Sequence, residues 1–263
     1  MKNVFRYTFL SVAEIKKFLF IVILVSMLTL IQAYPVICII SFILEKLFYF
    51  SIGVLLVYLI KITKNGEEFF ATLEKQPFST FLLHFIPSSM GILLGFMVIT
   101  ALFLTFFVII LKFTGSLFIL ANPHHFLEAL SLTPYITKIL LGFYCVYLIF
   151  YSYIFLGKFG EALDKETFKG AFLSIISSII DFKFWINTFK LKYIVIYTVW
   201  SIVTVIIYSV ISFTYIFYIF PLIIHHPNFS LFIIPLLVAI TTITAYFTFF
   251  SAYFAYQSTK KSS

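Results

Sequence analysis

Residues 89–111 read SMGILLGFMVITALFLTFFVIIL, a run that carries no charged side chain. About 20 consecutive apolar residues make a helix long enough to cross the hydrocarbon layer of a bilayer, which is ~30 Å thick. In lipid only a helix or a closed barrel satisfies its own backbone polar groups, so such a run constrains the fold strongly. Comparable runs occupy 135–157, 193–220 and 230–256, and the apolar stretch 18–60 is too long for one crossing and about right for two. Composition agrees. Hydrophobic residues make up 62% of the 263 positions and charged residues 11%, whereas a soluble domain is about a quarter charged. Too few polar side chains remain to coat a water-facing surface. The sequence therefore predicts an all-α polytopic membrane protein.

The turn inside 18–60 has two candidates. Tyr34-Pro35 offers a proline able to begin the second helix at its first turn. Glu45-Lys46 supplies the only charges in the stretch, but a turn there leaves a second helix of about 14 residues, short for a membrane. Pro35 is the favoured position. The basic N-terminus (Lys2, Arg6, Lys16, Lys17) leads into this run without a small-residue cleavage site, so the run reads as the first membrane helix.

Charge distribution gives an independent count. Lysine and arginine concentrate in cytoplasmic segments. With six crossings and both termini in the cytoplasm, fifteen of the eighteen basic residues fall on the inner side. The exceptions are Lys46, Lys112 and Lys138, the last two at helix ends where their side chains can snorkel. The expected location is the plasma or inner membrane.

Short amphipathic stretches separate the spans. In 165–180, Phe168, Ala171, Phe172, Ile175, Ile176 and Ile179 follow helical spacing on one face, with Lys165, Lys169, Ser174, Ser177 and Ser178 mostly opposite. Asp164 is the expected N-cap, and the helix is expected to lie in the interface plane. The run FKFWINTFKLK at 182–192 continues it with headgroup-level chemistry. Weaker stripes occur at Phe78, Phe81, Leu82 and Phe85, and at Phe5, Phe9 and Val12. Each precedes a pair of spans. The expectation is a single membrane domain over 1–257 followed by a short cytoplasmic tail, 258–263. It comprises three helical hairpins, in units 1–60, 61–157 and 158–257, each introduced by a cytoplasmic amphipathic helix.

The N-terminal amphipathic helix, the helical pair, the charged loop carrying Lys61, Lys64, Asn65, Gly66 and Glu67, and then Pro77 together resemble a group of uncharacterised six-helix prokaryotic membrane proteins. These are distantly similar to the membrane domains of glycerophosphodiester phosphodiesterases. Val57-Tyr58 stands where that group has a Gly-Tyr pair. The resemblance implies the fold and no particular activity.

Candidate site residues are few. Glu45 and Lys46 lie within an apolar run, and an ionisable group at mid-bilayer costs roughly 2.5–3.5 kcal/mol on insertion scales. Neighbouring positions on a helix diverge by about 100°, so each is expected to need a partner other than the other. They read either as an ion or proton relay or as charges at the outer interface. His124, His125, His225 and His226 fall in outer loops, near Glu128, and are candidate zinc or copper ligands, or else polar loop residues beside prolines. Cys38 and Cys145 sit in apolar segments without CxxC spacing and read as packing residues. The groups Glu67-Glu68 and Glu161/Asp164/Glu166 read as solvated helix faces. Gly91 and Gly95 form a GxxxG that permits close helix contact. No catalytic motif and no cofactor motif is present, and the abundance of Phe and Tyr suits the hydrocarbon layer and the interfacial belts, with codon bias a good share of its cause. The net charge of +8 is spread beside apolar spans, which points to anionic headgroups as partners, at roughly 1 kcal/mol per basic residue, and not to nucleic acid. The functional expectation is a non-enzymatic membrane scaffold, organising or accessory component. The alternative is a small-solute or ion transporter using Glu45 and Lys46.

Overall fold

The computed structural model describes residues 1–32, 34, 37–121, 128, 131–215, 217 and 230–260. Among them every regular element is helical. The helices are α1 (Lys2–Ala13), α2 (Ile15–Ile31), α3 (Cys38–Ile62), α4 (Gly66–Lys75), α5 (Phe78–Phe113) and the single turn α6 (Phe118–Ala121). There follow α7 (Tyr135–Leu163), α8 (Phe168–Ile176), α9 (Phe182–Thr188), α10 (Leu191–Thr214) and α11 (Ser230–Thr259).

Five helices are long and apolar enough to cross a membrane: α3, α5, α7, α10 and α11. The count rises to six if α8 and α9, bent by 78° at the break between them, form one broken span. At 17 residues α2 is ~25 Å long, a little under the hydrocarbon thickness. The chain turns between Ile31 and Cys38, which leaves Glu45 and Lys46 inside α3.

The core lies toward one end of the bundle, the end where α1 packs and α11 finishes, here called the proximal end. Ile52, Leu55, Leu56 and Leu59 of α3, Leu156, Phe159 and Leu163 of α7, and Phe249, Phe250 and Ala252 of α11 are all buried there. Tyr7 of α1 packs edge-to-face against the Phe69 ring, 5.0 Å away, and approaches Phe250 at 5.9 Å. Three glycines permit close helix contacts. A Cβ at Gly160 would overlap the Ala252 carbonyl oxygen, so α7 and α11 touch backbone to backbone. A Cβ at Gly91 would overlap the Phe168 carbonyl oxygen and one at Gly95 would press on Ile175, so α8 seats on α5. The GxxxG of the third apolar run thus serves α8. Toward the distal end α5, α7 and α10 carry mostly exposed apolar side chains, such as Leu104, Val146 and Val205.

Several local expectations change. The stripe over 78–85 does not form a separate surface helix, because α5 runs through Pro87 as one 36-residue element. Proline removes one N–H without ending a helix that neighbouring segments hold in place. The helix after 165 is capped by Thr167, whose Oγ1 accepts from the Gly170 N–H at 3.2 Å, and not by Asp164, which closes α7. Its stripe faces protein: Ala171 and Ile175 are fully buried against α5, and Ser178 on the other flank bonds Tyr151 Oη at 2.6 Å. The loop at NGE opens α4. Asn65 Oδ1 accepts from the Glu68 N–H and the Glu68 carboxylate accepts from the Lys64 N–H, each at 2.9 Å, a reciprocal cap. At its far end Lys17 Nζ donates to the Leu73 and Glu74 carbonyls, where a cation complements the helix dipole.

Candidate functional site

Among the described residues, two clusters built on charged side chains interrupt the apolar interior. The first is at the distal end, where α2 stops and α3 begins. Glu45 is buried on α3, and its two oxygens are both engaged. Gln32, the C-cap of α2, donates from Nε2 to Oε2 at 2.6 Å, and Lys46 Nζ lies 2.7 Å from Oε1. The expectation that adjacent residues cannot pair fails here. The Cβ directions do diverge, but the four-carbon lysine stem folds back across the gap, and Nζ also lies 5.0 Å from the Phe42 ring centroid. Lys46 keeps about a third of its side chain exposed, so its head reaches toward the bundle surface.

Below this pair a cavity of about 270 Å³ opens between α2, α3 and α11. Glu45, Lys46, Gln32, Thr29 and Thr241 line its polar side, and Val25, Leu237 and Val238 are among its apolar walls. Tyr49, one turn further along α3, shares a 3.0 Å hydrogen bond with Thr242. The arrangement presents a carboxylate, an ammonium and an amide within one small cavity. That set can recognise a polar or zwitterionic group.

The second cluster is at the proximal end. Lys158 is 2% exposed, although it sits within an apolar helix. Its Nζ contacts Asp181 Oδ2 at 2.6 Å, Glu161 Oε2 at 2.8 Å and Ser177 Oγ at 3.3 Å, and it sits 4.5 Å from the Phe184 ring centroid. A buried charge is tolerated only when paired and hydrogen-bonded, and here three polar atoms surround it. Asp181 also caps α9, accepting from the Phe184 N–H at 3.0 Å. Burial alone raises the Asp181 pKa. The hydrogen bonds from Lys158 and Phe184 and the positive charges of Lys158 and Lys183 more than offset it, and the carboxyl sits below its ordinary value of 3.8. Beside this cluster Asp164 gathers Lys61 at 3.5 Å and Lys260 at 3.7 Å, and Lys61 also reaches Glu166 at 3.6 Å. The reading of Glu161, Asp164 and Glu166 as a solvated face therefore holds only for Glu166, which stays exposed.

Sequence reasoning did not single out Lys158, Asp181 or Gln32. The available signal was a lysine set between Gly157 and Gly160 in FLGKFG, at the end of an apolar run. His124, His125, His225 and His226 lie outside the described residues. Among the described residues no three His, Cys, Asp or Glu side chains converge as metal ligands would. Comparison with protein-family models, with curated proteins and with solved structures returned no match.

Proposed function

We propose that the chain is a non-enzymatic organising or accessory component of the plasma or inner membrane. In this reading it crosses the bilayer six times, through α2, α3, α5, α7, α10 and α11, as three hairpins with the proximal end in the cytoplasm. Alternate helices then run in opposite directions, which fits Gln32 meeting Glu45 across the first turn and Phe50 stacking on Phe96 between α3 and α5 at 5.6 Å. The bent α8–α9 segment enters from the cytoplasmic side and returns to it. Its start is tied to the proximal part of α5 by Ser88, which donates to the Lys165 carbonyl, and its end by Lys190, which donates to the Thr259 and Lys260 carbonyls.

The observation that carries the functional reading is that four short helices gather at the proximal end, α1 packed on α4 and α11, α8 on α5 and α7, and α9 on α7 and α11. Rigid, exposed and basic, such a platform suits docking better than turnover. The test is photo-crosslinking in cells from Lys169 and Leu173, two exposed positions on α8, beside Val205 on α10 as a control. A discrete adduct from α8 alone is expected, and its absence refutes the reading. Labelling that put positions 2 and 260 on opposite sides of the membrane would remove the six-span arrangement.

The Glu45 cavity favours a second reading, binding or transport of a small polar solute. Uptake by proteoliposomes that disappears in Glu45→Gln would support it, and equal uptake by both proteins would exclude it.

A further inference from the structure

We infer that α9 is a seat for anionic phospholipid, with its outer face in the acyl region and its flanking lysines at the phosphates. This deepens the platform reading by naming what covers one of its faces.

The helix has two opposite sides. Phe184 and Thr188 point inward and are buried, Phe184 beneath Lys158 and beside Gly157. On the other side Phe182, Ile186 and Phe189, spaced i, i+4 and i+7, are 65%, 72% and 63% exposed. Ile180 before them and Leu191 after them extend the apolar surface. Five bulky side chains in one patch stay out of water only if lipid or protein covers them. Charge selects the occupant. Lys183 and Lys192 border the patch and are exposed. Across 165–192 five lysines face only Glu166 and Asp181 as acids, and Asp181 is taken by Lys158. An apolar face edged with exposed lysines matches an anionic lipid surface better than a neutral one.

The seat is also preorganised. Asp181 fixes the start of α9, Trp185 Nε1 donates to the Ser178 carbonyl at 3.0 Å, and Tyr153 Oη donates to the Thr188 carbonyl at the far end. Little order remains to be imposed when a lipid binds.

The chain has two tryptophans, and Trp200 lies away on α10. The full-length Trp200→Phe protein in nanodiscs therefore leaves Trp185 as the reporter. Its quenching is compared for phosphatidylglycerol and phosphatidylcholine carrying dibrominated acyl chains, each as a minor component among unlabelled phosphatidylcholine. Tighter association of the anionic lipid is expected, by up to about fivefold per lysine. Lys183→Gln with Lys192→Gln should return the two lipids to parity while leaving the melting temperature unchanged. Equal quenching by both lipids in the parent, or a preference that survives the double substitution, overturns the inference. Nanodiscs offer the same lipid on both faces, so the result does not depend on the orientation of the chain, and the α8 crosslinking test of the platform can fail separately.

Discussion

Removing the charge of Lys158 is the most informative single perturbation. At 2.6 Å from Asp181, with an effective dielectric near 20, the gross attraction is about 6 kcal/mol. Desolvation of the buried ammonium consumes much of that. Breaking a buried pair from one side costs ~3–5 kcal/mol, because the remaining charge is stranded. Here Asp181 and Glu161 keep 34% and 21% of their side-chain exposure, so water partly rescues them, and Lys158→Met should cost about 2–3 kcal/mol. Asp181→Asn isolates the ion pair, since asparagine still caps α9. The two substitutions together should cost about 2 kcal/mol less than the sum of the singles. The assay is equilibrium unfolding in mixed micelles with rising dodecyl sulfate, read from Trp185 on α9. Additivity within about 0.5 kcal/mol would show that the pair does not couple α7 to α9 and would refute the reasoning.

Acid offers a second probe of the same carboxylate. A folded pKa below the ordinary 3.8 means stability that is present above that pH and lost as pH falls through the folded value. The Trp185 signal should hold down to about pH 4 and then change, and Asp181→Asn should remove that component of the acid transition. Gly160→Ala should lower the melting temperature in detergent by the equivalent of about 1–3 kcal/mol or more, because its methyl meets the Ala252 carbonyl oxygen. Gly142→Ala, which meets nothing within 4 Å, should be neutral or stabilising by up to ~1 kcal/mol; equal loss at both sites would contradict the packing described. Asn65→Ala should cost about 1 kcal/mol and speed amide exchange in α4 without affecting α10.

Helix content and the crossing-length segments were legible from apolar run lengths, because lipid imposes its thickness directly on the sequence. That α3 runs unbroken through Glu45 and Lys46 was legible from the length a turn there would leave, while Pro35 itself lies outside the described residues. What periodicity does not state is which surface a stripe meets. Phe168 and Ile175 have the spacing of a lipid-facing helix, yet the Phe168 backbone meets Gly91 and Ile175 meets Gly95, partners about 80 residues earlier in the chain. The Glu45–Lys46 pair escaped a rule built on Cβ directions because the lysine is long enough to defeat it. Lys158 and Asp181 are 23 positions apart, and nothing local to either reveals that the 78° bend brings them together.

Helix α11 touches α1, α2, α3, α7, α9 and α10, yet it is the last of these that a ribosome makes. Val4 and Tyr7, threaded near the start of synthesis, have their apolar burial completed only when Phe247–Phe254 emerge. A nascent chain must therefore linger half-assembled in the bilayer, with Gly160 facing lipid where its neighbour's backbone will later lie. α11 is the keystone, and chains stalled before it should be recognised and degraded as incomplete.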